Sequence, residues 1–315
     1  MELTPNFAYN PNPSPPPGPP PAPPSDDPGL LSGLVGTWTG TGFNAIWRPN
    51  QLTTGQDRFL ELNLTQETLE FSQPIPGGIP NRGLLQPDIT MGGLRYLQQI
   101  SDANFPPPPN NGLHVEPGLW LNVPATTNPA VSASVARLAS IPHGATILAQ
   151  GVASQADGRP TIPAINLDPF PIGNSAAASP FPEQNLATQT AFRTPQQGLT
   201  GPGGTITQPM VDNPNSVLVN ASEGQTITST VTLQVSTGDL PVTGGGTDNT
   251  AFLIGGPSGP NADAVSVTAT FWIETVENQP MQLQYSQTVL LNFNGLSWPH
   301  VTVATLQLQQ GAATP

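Results

Sequence analysis

From Gly36 onward, apolar and polar side chains alternate with a period of two. Leu60, Leu62 and Leu64 are interleaved with Glu61 and Asn63. Ile227, Val231, Leu233 and Val235 are interleaved with Thr228, Thr230, Thr232 and Gln234. Val265, Val267, Ala269, Phe271 and Ile273 are interleaved with Ser266, Thr268 and Thr270. Successive side chains of a strand point to opposite faces, so each run predicts a strand with one buried face. Met91, Leu94, Leu97 and Ile100 have helical spacing, while Leu94, Tyr96 and Ile100 also suit a strand, and the pattern leaves that stretch open. Many moderate strands separated by turn residues predict an all-β domain, a sandwich or a closed antiparallel barrel.

Three stretches break the rhythm. Eleven of the eighteen residues from Pro11 to Pro28 are proline. Such a segment lacks backbone donors and prefers an extended polyproline helix, which reads as a spacer or a strap on the body rather than as a docking motif. Asp27-Pro28 then has the form of a helix N-cap and first-turn pair, predicting one short turn over Leu30 to Val35. Ala153 to Ser222 is rich in Pro, Gly, Ala, Asn and Gln, with small apolar islands. A structureless loop of that length is unusual in a compact domain, so it reads as an insertion packed on the body and lidding one end. Thr243 to Asn261 reads as a shorter Gly-rich loop. The division is a proline-rich arm, 1–29, and one β-domain, 30–310, with an insertion at 153–222.

Composition narrows the function classes. The chain has 7 basic residues, all Arg, against 20 acidic ones, and a net charge of −13. Binding a phosphate backbone requires clustered cations, and so does docking on an anionic membrane; neither partner is expected. Zero Cys excludes disulfides and thiolate chemistry. The first ten residues lack the basic and apolar regions of a signal peptide, and no apolar run is long enough to span a bilayer, so the expected location is cytoplasmic.

Four motifs carry more information. Gly36-Thr37-Trp38-Thr39-Gly40-Thr41-Gly42 has the form G-x-W-x-G-x-G, in which Trp closes one end of a small barrel and Gly permits strong bending. Leu113-His114-Val115-Glu116-Pro117-Gly118 follows, then Ala139-Ser140-Ile141-Pro142-His143-Gly144 with Gln150-Gly151, and last Trp298-Pro299-His300-Val301-Thr302-Val303-Ala304-Thr305-Leu306. In this order the pieces resemble the nitrobindin family of heme-binding barrels, related in shape to fatty-acid-binding proteins. The resemblance covers roughly 30–152 and 226–309. It implies a closed antiparallel barrel of about ten strands with an apolar interior pocket. It also implies heme b with His300 as its ligand, and chemistry on nitric oxide, peroxynitrite or peroxide. The family's Tyr-Pro-Thr type segment is Phe43-Asn44-Ala45-Ile46-Trp47-Arg48-Pro49 here, and its Thr is replaced by His143, so the pocket chemistry departs from the pattern.

Under that reading Trp38, Ala304 and Leu306 join His300 at the cofactor, with His143 as a distal group or a plain turn residue. Thr302, Ala304, Leu306 and Leu308 continue the His300 face. His114 and Glu116 share one strand face, either as an acid–base pair or as a polar outer face opposite Leu113, Val115, Leu119 and Leu121. Pro117-Gly118 suggests a bulge. Trp47, Trp120, Trp272 and Trp298 read as packing before pocket lining, and Arg48 and Arg137 are candidate partners for propionates. The alternative function is a heme-free barrel that holds a fatty acid or other apolar small molecule. A third reading makes the arm and insertion assembly elements of a homo-oligomer. No Walker loop, H-E-x-x-H or nucleophile elbow is present.

Overall fold

The computed structural model describes residues 26–50, 58–84, 86–105, 108–142, 144–238, 244–255 and 261–309. Ten long antiparallel strands close into a barrel. They are β1 (Gly36–Pro49), β2 (Arg58–Phe71), β3 (Ile89–Asp102), β4 (Gly112–Val123), β5 (Ser134–Ile141), β6 (Ala145–Asp157), β7 (Ile227–Ser236), β8 (Asp263–Val276), β9 (Gln282–Phe293) and β10 (Leu296–Leu308). Each pairs with its neighbour in sequence, and β10 returns to β1 through a register running from Trp38 opposite Leu308 to Ile46 opposite His300. Closure removes the free edges of the sheet. The stretch left open between helix and strand is β3. The Gly-rich region is not all loop: Gly245–Asn249 adds a short strand to β6, and Ala251–Ile254 forms one helical turn.

The G-x-W-x-G-x-G motif closes one end. Asp27 Oδ1 accepts the Gly29 N–H at 2.9 Å and starts a 3-10 turn over Gly29–Leu34. Leu31 and Leu34 from this turn are fully buried with Trp38, whose indole donates to the Leu34 carbonyl at 2.7 Å. Gly36 has φ +125°, a conformation that side chains disfavour. At Gly40 a Cβ would lie 2.1 Å from the Thr305 carbonyl oxygen, so the β1–β10 contact excludes a side chain there.

The interior changes character along the barrel axis. Around the plug it is apolar, with Leu69, Phe71, Leu94, Trp120, Phe271 and Leu306 in one buried cluster. Toward the opposite end the inward positions become polar. On β2 the inward face reads Asn63, Thr65, Glu67, Leu69, Phe71, all buried. Leu60 and Leu62, expected on the core side, belong instead to a second cluster on the outside of the wall. Both faces of this strand are buried, so apolar alternation marked a covered face without saying which one was the lumen. β8 contains another correction: a register shift between Ala264 and Ser266 turns Val265 outward, 38% exposed, while Ala264, Val267, Ala269, Phe271 and Ile273 remain inside.

The long insertion, expected to lid one end, packs largely along the side of the barrel. β6 continues to Asp157, so the first five residues of the expected insertion are strand. The remainder packs over the outer wall of β1, β2 and β10. Leu167, Leu199, Ile206, Val211 and Leu218 cover Phe43, Ala45, Trp47, Leu60, Leu62, Val301 and Val303. Trp47 donates to the Leu167 carbonyl at 2.9 Å and packs tilted against Trp298, ring centres 5.2 Å apart. Phe192 and Thr194 exchange backbone hydrogen bonds with Leu60, extending β2 where β3 no longer accompanies it. Arg193 then bonds the carbonyls of Glu183, Asn185 and Thr188, tying the loop to itself. Most of the proline-rich arm, 1–25, lies outside the described residues.

Candidate ligand cleft and buried polar network

The polar half of the barrel holds two buried hydrogen-bonded groups. Arg137, on β5, is buried and spends each guanidinium nitrogen on an interior partner: Nε on Tyr96 Oη at 2.9 Å, Nη1 on Gln287 Oε1 at 2.6 Å and Nη2 on Glu116 Oε1 at 2.5 Å. Tyr96 Oη also donates to Glu116 Oε1. His114 reaches the other oxygen of Glu116 through Nε2 at 3.1 Å. A second centre is Glu67 on β2. Its carboxylate accepts from Tyr285 Oη at 2.6 Å, Thr65 Oγ1 at 2.7 Å and Gln98 Nε2 at 3.4 Å. Gln98 also donates to Tyr285 Oη at 2.9 Å.

Burial and charge push the two carboxyl groups apart. Burial alone would raise Glu116, but Arg137, then His114 and Tyr96, hold it down at about 2. Glu67 is raised, because its burial outweighs donors that are all uncharged. The pairing also settles Arg137 as charged: burial opposes its positive charge, and Glu116 and Tyr96 more than offset that.

The expectation that His114 and Glu116 form an outer polar face is therefore corrected. Glu116 is wholly buried, whereas Val115, expected on the apolar face, is 46% exposed. An interior carboxylate is tolerable because Arg137 is delivered beside it. The bulge sits at the start of β4, between Ile100 and Ser101 of the partner strand, not at Pro117-Gly118. The apolar cluster and these polar groups lie in the lumen, where an apolar pocket was expected.

A cleft of about 970 Å³ adjoins the network. Residues 39–41, 66–68, 99–101 and 112–115 line it with Pro142. Consecutive residues of each strand contribute, so the cleft is cut into the wall and opens outward. Its centre is a row of paired residues: Gly40 opposite Glu67, Glu67 opposite Ile100, and Ile100 opposite His114. Glu67 and His114 thus stand two strand spacings apart, about 10 Å between their backbones. Nothing in the hydrophobic alternation singled out Glu67, Gln98 or Tyr285. One signal was available: Glu67 has the same parity as Leu69 and Phe71, which places it on their inward face.

His300 lies elsewhere. It is half-buried on β10, opposite Ile46, and its Nε2 is 3.1 Å from Asn44 Oδ1, which also accepts Thr302 Oγ1 at 2.9 Å. It is not among the residues that line the 970 Å³ cleft. Ala304 and Leu306 are fully buried in the packed cluster with Tyr285 and Leu283. Trp38 is eight residues farther along the β1–β10 register, about 27 Å away, and serves the plug. In this structure the imidazole Nε2 is engaged by Asn44, and Ala304 and Leu306 lie among core side chains. His143 lies outside the described residues. Neither Arg is placed for propionates, since Arg137 is committed inside and Arg48 pairs with Glu61 at 2.7 Å on the surface. Besides Trp38, Trp120 packs in the lumen against Phe271, and Trp47, Trp272 and Trp298 pack in the outer cluster.

Among the described residues no group of three or more His, Asp or Glu is gathered for a metal ion, and no helix is long and apolar enough to cross a membrane. No protein-family model matches the chain, and no curated protein does either.

Proposed function

We propose that this protein is a small-molecule-binding β-barrel whose ligand sits in the cleft between Glu67 and His114. One observation carries the reading. Glu67 and His114, one from each of the two buried hydrogen-bonded groups, are both among the residues that line the cleft. Ligand sites are typically concave and partly apolar with a few convergent polar groups, and this volume suits a small organic molecule. The rigid closed wall holds those groups in place. The test is a fluorescence titration with the uncharged apolar probe N-phenyl-1-naphthylamine. Saturable binding is expected, and Gln99→Trp, which fills the cleft from its outer side, should abolish it. Non-saturable binding, or binding indifferent to Gln99→Trp, would overturn the reading.

Ferric heme b on His300, acting on nitric oxide, peroxynitrite or peroxide, is the competing proposal. The nitrobindin-like motifs and the inward direction of His300 support it. It requires the imidazole to leave Asn44 and the packing around Ala304 and Leu306 to open. A hemin titration decides it: a saturable Soret band in the wild type that disappears in His300→Ala would establish heme ligation over the reading above.

A further inference from the structure

The two ends of the insertion are tied to each other and to the barrel at one place. At its start the Gly158 carbonyl accepts Thr230 Oγ1 of β7 at 2.8 Å. Arg159 donates across to the other end, to Ser222 Oγ at 2.6 Å and to the carbonyls of Ser222 and Gln225 at 2.6 and 2.8 Å. Gln225 and Gln282 of β9 exchange amide hydrogen bonds at 3.1 and 3.2 Å, and Gln282 Nε2 also donates to Glu274 Oε2 at 2.7 Å. This chain of contacts therefore ends on a carboxyl group of β8. Glu274 has the parity of Trp272, on the outer side of the wall, and is fully buried there. Its Oε1 has no hydrogen-bond partner among the described residues, and neither has Gln284 Oε1. Gln284 is also fully buried, and its amide N–H groups are spent on the Leu218 carbonyl and Thr305 Oγ1, both at 2.8 Å. Glu274 is paired with Gln282, and Trp272 with Gln284, so the two orphan oxygens belong to diagonal neighbours on one face, a spacing that long side chains span. Leaving two buried acceptors unmatched is costly; one carboxyl proton on Glu274, donated to Gln284, satisfies both.

We propose that Glu274 is a proton-operated latch at the neck of the insertion: the neutral acid holds 158–226 on the wall, and ionisation loosens it. The groups packed around it are uncharged: Thr230 from β7, Gln282 and Gln284 from β9, and Gln225 through Gln282. Arg159 is the charge that acts on it, while Asp157, Glu223 and Glu277, near the neck in sequence, are exposed. Burial raises the carboxyl above its usual 4.5, against the opposing effects of Gln282 and Arg159. The proton is held at mildly acidic pH and lost as pH rises, which leaves a buried charge beside an unsatisfied amide oxygen. What the latch controls is the apolar wall beneath the insertion, with Trp47, Leu60, Leu62, Val301 and Val303.

The experiment follows amide hydrogen exchange by mass spectrometry between about pH 5 and about pH 8, corrected for the intrinsic pH dependence of exchange. Peptides from 158–226 are compared with peptides from 112–141 in the same sample, so that a change confined to the insertion is separated from one shared with the barrel. In the wild type, protection of the insertion should fall at least about fivefold relative to the barrel as pH rises, the weight of one buried polar group left unsatisfied. In Glu274→Gln, whose amide keeps a donor for Gln284 at every pH, the ratio should stay constant within about twofold. A wild-type ratio that does not change with pH overturns the proposal. A fall that persists in Glu274→Gln overturns it too. Should Glu274→Gln not fold, Gln284→Met takes its place: it removes the acceptor of the carboxyl proton, so the fall should begin at lower pH, and an unmoved fall overturns the proposal.

Discussion

Arg137 and Glu116 are joined at 2.5 Å although their backbones are not opposite each other. Arg137 is paired with Trp120, four residues along β4 from Glu116. The guanidinium therefore runs diagonally down the lumen, past the Phe271 ring at 5.3 Å, to reach the carboxylate. That diagonal joins the apolar half of the barrel to the polar half. Removing one partner leaves a buried charge unmatched. Arg137→Met should lower unfolding free energy by about 3–5 kcal/mol, measured by urea denaturation. Adding Glu116→Leu should recover most of the loss; no recovery would show that Arg137 acts through its packing and not through this pair.

The two carboxyl groups give opposite pH dependences. Glu116 is depressed to about 2 in the folded barrel, from 4.5. The folded state then binds fewer protons than the unfolded one between those values. Its stabilisation is complete above about 4.5 and is lost as pH falls toward about 2. The acid limb of a stability–pH curve should flatten in Glu116→Gln relative to the wild type.

Glu67 works the other way. Its folded value is raised by burial, so the folded state holds the proton more tightly than the unfolded state. Stability from this group is greatest below its ordinary value of 4.5 and falls as pH rises through the raised value. Glu274 is raised by burial as well and adds the same sign. Glu67→Gln should remove part of this decline, with a smaller difference in melting temperature between mildly acidic and neutral pH. An unchanged decline would mean that Glu67 is already matched by a charge.

Trp47 tests whether the insertion depends on the wall. Its ring is fully buried between Trp298 and Phe181, and its indole N–H reaches the insertion at Leu167. Trp47→Ala should cost about 3–5 kcal/mol. Limited proteolysis should then cut within 158–226 well before the barrel strands. Cleavage spread evenly over the chain would show that insertion and barrel unfold as one unit.

Gly40 tests the motif. A side chain there meets the Thr305 carbonyl oxygen, so Gly40→Ala should destabilise by about 1–3 kcal/mol by prying β1 from β10. Gly77→Ala places its Cβ in open space but at φ +75°. It serves as the control for backbone strain without a clash; equal losses would remove the packing explanation for Gly40.

The period-two alternation determined that the chain is all-β, and the G-x-W-x-G-x-G motif, with Asp27-Pro28 before it, located the plugged end. Those features are local: alternation follows from strand geometry, and a Gly or Trp requirement is set by its immediate neighbours. What tertiary structure decided was which buried face is the lumen. Leu60 and Leu62 alternate as core residues do, yet they face the insertion, because a segment more than a hundred residues later covers the wall. Glu67 was not singled out, Glu116 read as half of an acid–base pair or of an outer polar face, and Arg137 as a partner for propionates. Only closure of the barrel brings β2, β3, β4, β5 and β9 around one axis, where Tyr96, Gln98 and Tyr285 can complete their hydrogen bonds. Charge burial is permitted by partners, and partners from five strands become neighbours only when the ring closes.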